Sequence, residues 1–284
     1  MGFPAGGHRS GMTTTAAARV QRARDSKWLE ALTRGGFIGY GILHLALTWL
    51  TVQIAVYHHS GHSADQSGAF KLIEQQPLGR ALLILIAVGL AAMCVWQLLL
   101  AIAGHHDEKD DGARTKARLG SAGLTIAYGV LCGTCVKVLA GDGKSSSSSQ
   151  HQSASTVLSH PWGQALIAIV GLGVVGGGVG MIVYGVKASF EKKLDLGTAG
   201  RNVRRAVMFS GRTGYAGKGL AFGIVGVLLL VSAFRDSAAR AKGLDGALHT
   251  LAGHAYGTVL LAIVALGFFA YGLYAIAQSR YRRV

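Results

Sequence analysis

Apolar residues are gathered into six long runs, at about residues 36–57, 81–104, 119–140, 164–187, 214–234 and 258–278, with polar residues collected between them. Each run supplies the roughly 20 residues that a helix rising about 1.5 Å per residue needs to cross about 30 Å of hydrocarbon. The runs are continuously apolar and do not alternate at every second position, which predicts spanning helices and disfavours barrel strands. None contains Asp or Glu, and the cations inside the ends of the spans are Lys137 and Lys218. The pattern predicts an all-α integral membrane bundle of six helices.

The runs repeat. Without a gap inside any unit, five columns align as identical: Arg34, Arg118 and Arg212; Gly36, Gly120 and Gly214; Gly39, Gly123 and Gly217; Gly79, Gly163 and Gly257; Gly89, Gly173 and Gly267. The interval from the Arg to the fourth member, Arg34 to Gly79, Arg118 to Gly163 and Arg212 to Gly257, is the same in every unit. A fixed period of this kind is the mark of a repeat architecture. Two crossings per unit return the chain to its starting side, so the repeats are expected to be parallel and related by a pseudo-threefold axis along the membrane normal. Helix association in lipid relies on close backbone approach, which small residues allow. Gly36, Gly39, Gly120, Gly123, Gly173, Gly177, Gly214 and Gly217 are therefore expected in helix-packing seams.

Charge then orients the bundle. The chain carries a net +15 and a mean hydropathy of +0.38, with half its residues hydrophobic and 14% charged. With the amino terminus placed inside, twenty of the 28 Lys and Arg fall in cytoplasmic segments, six in the opposite segments and two within spans. That asymmetry over short loops is the positive-inside signature. The basic balance reports orientation and possible contact with anionic lipids, each cation near an anionic surface contributing about 1 kcal/mol, and lends nothing separate to nucleic-acid binding. The first apolar run is too long for a signal-peptide core and no small-residue cleavage site follows it, so it is retained as the first helix. The expected organisation is a disordered tail (1–15), repeat 1 with a basic juxtamembrane helix (16–106), repeat 2 (112–190), a basic linker (191–206) and repeat 3 (207–284). Both termini are expected in the cytoplasm and the protein in a bacterial cytoplasmic membrane.

The chain resembles the bacterial membrane family catalogued as domain of unknown function 1206. The family pattern is an Arg, a Gly with an aromatic, then Ala, a cation and Gly opening the first helix, a Gly-Ala-Leu loop helix, and Pro-x-Gly opening the second. Arg212, Gly214, Tyr215, Ala216, Lys218 and Gly219 match it best, with Gly68-Ala69-Phe70 and Gly246-Ala247-Leu248 in the loops and Pro77, Gly79, Pro161 and Gly163 before the even helices. Tyr40 and Leu124 replace the cation kept as Lys218, and Ala255 replaces the Pro. The resemblance, over about residues 28 to 280, implies three two-helix repeats and no established activity.

Candidate chemistry is sparse. Cys132 and Cys135 form a CxxC without a βαβ setting and read better as small apolar filler than as a redox pair. His58 and His62 have i, i+4 spacing suited to one metal only if the first helix continues through them, and no third ligand accompanies them. His44, near the bilayer midplane, is an intramembrane ionisable residue and a functional candidate on that ground; its repeat partners Tyr128 and Phe222 also allow a packing slot of aromatic size. Lys218 lies about 9 Å along the helix beyond Arg212 and is expected to snorkel to the basic surface. No catalytic, cofactor-binding or metal-binding set is predicted. The expected role is a non-enzymatic structural or interaction component of the membrane, whose partners are the bilayer, anionic lipids at the cytoplasmic face or another membrane protein. The alternative is a passive anion channel or carrier along the axis, with Arg34, Arg118 and Arg212 as a cationic ring.

Overall fold

The computed structural model describes residues 27–104, 110–141, 149, 152–153, 155–157, 160, 162–197, 199–234 and 243–282. The tail (1–15) and the first part of the juxtamembrane helix lie outside the described residues. Helices run over α1 (Lys27–Tyr57), α2 (Gln66–Glu74), α3 (Gly79–Ala103), α4 (Asp111–Leu139), α5 (Gly163–Val186), α6 (Arg201–Phe234), α7 (Leu244–Ala252) and α8 (Gly257–Tyr281), with a 3-10 turn at Ser189–Lys193. Six of them, α1, α3, α4, α5, α6 and α8, are long and apolar enough to cross a membrane.

Helix ends follow local chemistry. Asp110 caps α4 by accepting from the Ala113 N–H at 3.2 Å, and Asp65 caps α2 by accepting from the Gly68 N–H at 3.0 Å. Side-chain capping of this kind satisfies amide donors that have no partner within the helix. Helix α6 begins at Arg201, well before its apolar run, because hydropathy marks where hydrocarbon starts while the backbone stays helical through a polar segment free of proline. Short helices α2 and α7 carry the two Gly-Ala loop motifs, and Phe70 and Leu248 anchor them in the core.

Contacts between repeats are equivalent around the ring. The Cys94 thiol of α3 donates to the Thr125 carbonyl of α4 at 3.4 Å. At the same repeat positions a Cβ on Gly178 of α5 would lie 2.6 Å from the Gly219 carbonyl of α6, and one on Gly272 of α8 would lie 3.1 Å from the Gly41 carbonyl of α1. Within repeat 1, Gly36 approaches Gly89 so closely that a Cβ would sit 2.5 Å from the Gly89 carbonyl. Within repeat 3, Gly217 faces Gly267 and Gly214 faces Tyr271. Each of these pairs runs antiparallel, so α1, α4 and α6, the first spans of the three repeats, all start at one end, here termed the basic end. The repeats are parallel.

The expected threefold ring is nevertheless open. Helix α4 packs on α3 and α5 packs on α6, but α4 and α5, the two spans of repeat 2, form no packed pair. Among the described residues nothing lies within 4 Å of the Cβ positions of Gly120, Gly123, Gly173 or Gly177, so these expected seam glycines meet no partner there. Val170 is 49% exposed where its repeat equivalents Ile86 and Val264 are 2% and 0% exposed. The cause is legible in the columns. Met93 and Tyr271 fill the grooves at Gly36 and Gly214 in the closed hairpins, whereas the equivalent residue on α5 is Gly177. Trp96 and Tyr274 are likewise matched by Gly180. Without side chains at Gly177 and Gly180, the dispersion contacts that Met93 and Tyr271 make in the other two hairpins are missing.

Candidate functional site

The axis is occupied by an aromatic cluster near the basic end. Tyr40 and His44, one turn apart on α1, meet Tyr128 of α4 and Phe268 and Tyr271 of α8. The Tyr40 ring lies 4.5 Å from His44, 5.6 Å from Tyr128 and 5.9 Å from Tyr271, and His44 lies 4.7 Å from Tyr271. The three contacts of the Tyr40 ring, at 75°, 80° and 87°, suit edge-to-face packing, in which a positive ring edge meets a negative face, and His44 is tilted at 43° to Tyr271. The His44 Nδ1–H donates to the Tyr40 carbonyl at 2.8 Å, and the residue is 3% exposed. The cluster continues toward the basic end through Tyr215, Tyr274, Tyr184 and Phe190, with Phe190 stacked on Tyr215 at 5.7 Å.

Lys218 sits inside this cluster and does not snorkel. Its ammonium donates to the Tyr40 hydroxyl at 2.5 Å and stands 4.3 Å from the Tyr271 ring centroid and 4.9 Å from that of Tyr40. Position along α6 fixes only the depth of this residue; its rotation about the helix turns the chain toward the axis. Cation–π attraction to two rings, strongest where water is excluded, replaces part of the lost hydration. Among the described residues, no carboxylate lies within ion-pair distance of Lys218.

The three arginines differ. Arg34 pairs with Glu30 at 2.8 Å and donates to the Ser279 and Arg280 carbonyls at the end of α8, at 2.7 and 3.1 Å. Arg118 reaches the Gly104 carbonyl at the end of α3, at 3.4 Å. Each guanidinium thus meets the carbonyl end of the preceding repeat in the cycle, where the helix dipole favours a cation. Arg212 is exposed. Beneath them the end of repeat 2 and the linker fold across the bundle: Phe190 is fully buried against Gly211, and Asp195 N–H donates to the Tyr281 carbonyl at 2.7 Å.

Other sequence candidates lie apart from this cluster. The Cys132 and Cys135 thiols face α3 and donate to the Ala87 and Leu83 carbonyls at 3.6 and 3.5 Å, and both are free. Helix α1 ends at Tyr57 and His58 turns into the left-handed region, φ 57°, so the one-face arrangement imagined for His58 and His62 does not form. His62 instead pairs with the Gln75 side chain at 2.9 Å. No cluster of three or more His, Cys, Asp or Glu able to hold a metal occurs among the described residues. Tyr215 stands in the family motif but with no role assigned to it, and Tyr271, Tyr274 and Phe190 belong to none of the motifs read from the sequence. Their signal was the i, i+3 spacing of Phe268, Tyr271 and Tyr274, which places three rings on one helix face.

Fold and cluster together define a multi-pass membrane protein built of three parallel two-helix repeats with an aromatic, lysine-bearing core. Residues 35–104, 119–188 and 213–282 each match the model of the Domain of Unknown Function (DUF1206) family, and the chain belongs to that family. It is similar to the "Uncharacterized protein YxxB" of Bacillus subtilis (strain 168), at 28% identity over 257 residues, which is 90% of this chain and 92% of that one. No solved structure matches.

Proposed function

We propose that the protein is a non-enzymatic structural or interaction component of the bacterial cytoplasmic membrane and not a conduit along its own axis. The observation that carries this reading is the filled axis, where Tyr40, His44, Tyr128, Phe268 and Tyr271 interlock and Phe190 closes the basic end. A conduction path needs water or coordinating polar groups along its length, and edge-packed rings at these distances supply neither. The arginine column also speaks against an anion vestibule, because Arg34 and Arg118 are engaged by backbone carbonyls. The excess of Lys and Arg at the basic end supports an orientation with that end in the cytoplasm. There it would meet anionic lipid or an acidic partner.

Liposome flux tests the reading. Purified protein reconstituted at known density should leave chloride, nitrate and phosphate efflux at the level of empty liposomes. Anion efflux above that level, abolished by Arg34→Ala, Arg118→Ala and Arg212→Ala together, would establish the passive carrier instead.

A further inference from the structure

We propose that Lys218 binds the anionic head group of a membrane lipid that enters sideways between α4 and α5, with its acyl chain lying along the glycine face of α5. Three observations converge on it.

The first is an incomplete charge. An ammonium has three donors, and among the described residues Lys218 makes one hydrogen bond, from Nζ to the Tyr40 hydroxyl. Two aromatic faces supplement it, but no carboxylate among the described residues does. A cation taken out of water without an anion costs several kcal/mol, and intramembrane cations are typically paired or engaged in function. His44, 3% exposed in the same cluster, uses Nδ1 for the Tyr40 carbonyl. A phosphate or carboxylate oxygen would complete the Lys218 set.

The second is a route. Leu124 of α4 occupies the repeat slot of Tyr40 and Lys218, yet it is 38% exposed where Tyr40 is 7% exposed. Lys218 itself keeps intermediate exposure although it points at the axis. The unpacked seam between α4 and α5 is the side on which this layer is open.

The third is depth and shape. Lys218 lies four residues beyond Gly214, where the apolar run of α6 begins, or about 6 Å along the helix. That is the boundary between head groups and acyl chains. Gly178 packs against Gly219, so Gly177 and Gly180 stand level with Lys218, and Gly173 lies deeper. An acyl chain running inward from the head group meets a smooth glycine surface with no Cβ contact of its own. A neutral chain in that groove restores the dispersion contacts that the open hairpin lacks.

Charge selects a lipid anion over a second copy of the chain, because the face that a second copy would present here is apolar and glycine-rich, and the carboxylate of α4, Asp111, lies in its first turn and pairs with Arg114 at 2.8 Å. Lipid retention at Lys218 can fail while the axis stays sealed, and the reverse, so flux and lipid binding separate the two proposals.

The test is native mass spectrometry of the full chain in mild detergent, after reconstitution in nanodiscs containing phosphatidylglycerol and phosphatidylethanolamine, with palmitate and inorganic phosphate as separate arms. The wild type should hold one anionic lipid through delipidation, Lys218→Arg should keep it, and Lys218→Met should lower its retention about tenfold or more. Gly177→Phe, which fills the groove and leaves the lysine intact, should lower it as well, and it carries the test alone if Lys218→Met does not fold. The surface change Lys187→Gln with Lys192→Gln should have no effect. Retention by palmitate supports the site equally and names a single-chain ligand. The proposal is overturned if Lys218→Met or Gly177→Phe, folded, binds as the wild type does, if inorganic phosphate displaces the lipid, or if the protein is a dimer joined through α4 and α5.

Discussion

Glycine does opposite things at equivalent positions in this chain, and single residues show it best. Gly217 faces Gly267 with no side chain between them, so a methyl group added there meets backbone that cannot step aside. Gly123, in the same column, faces nothing within 4 Å. Gly217→Ala should destabilise the protein by about 1–3 kcal/mol through overpacking, whereas Gly123→Ala should lie within about 0.5 kcal/mol of wild type, as surface changes do. Thermal unfolding in detergent, followed by circular dichroism, measures both; equal midpoints for the two variants would mean that the hairpins do not differ. Lys218 marks the limit of reading residues from sequence. Its depth followed from helical rise, but its direction depends on which face of α6 meets α1 and α8, and rotation about a helix axis is not encoded by spacing alone. The Tyr40, Leu124 and Lys218 column did place these residues in one layer, since equivalent positions in parallel repeats share a height.

At the scale of elements, the six spans were legible because hydrocarbon demands unbroken apolar helices of a fixed length. The linker was not. Residues 191–206 read as a basic tether, yet their first part closes the bundle and their last part is the start of α6. Phe190 is the reason: it is fully buried among Tyr184, Tyr215 and Tyr274, a nonlocal arrangement that no local pattern announces. Removing a buried phenylalanine side chain costs about 3–5 kcal/mol where the site cannot collapse. In Phe190→Ala the linker should therefore detach from the end of α8 before the spans unfold. Exposed Lys192 and Lys193 provide the readout: trypsin should cut after them at least about tenfold faster in the variant, since local opening governs cleavage when reclosing is fast. Unchanged cleavage would show that Phe190 does not hold the linker in place.

For the whole molecule, repetition builds a ring and then breaks it at one joint. The three joints between repeats are equivalent, and so are the hairpins of repeats 1 and 3; the departure is confined to repeat 2. The identical glycine columns concealed it, because a column of glycines in a packed seam and one beside an open groove look the same. Only the bulky partners, Met93 with Trp96 and Tyr271 with Tyr274 against Gly177 with Gly180, distinguish the hairpins. Cysteine crosslinking can test whether the joint is open in a membrane. A Cβ at Gly39 would lie 3.3 Å from the Ile86 Cβ, a separation that small backbone shifts bring into disulfide range. In a background with Cys94, Cys132 and Cys135 replaced by Ala, Gly39→Cys with Ile86→Cys should oxidise readily. Gly123→Cys with Val170→Cys occupies the same columns in repeat 2, where Val170 is exposed, and should remain reduced under the same oxidant. Equal rates would mean that α4 and α5 close on each other as the other hairpins do, and the side entrance to Lys218 would close with them. A reduced pair in repeat 2 beside an oxidised one in repeat 1 would leave lipid as the medium that fills the joint, since a bilayer does not tolerate a void next to Gly173 and Gly177 when acyl chains can reach it.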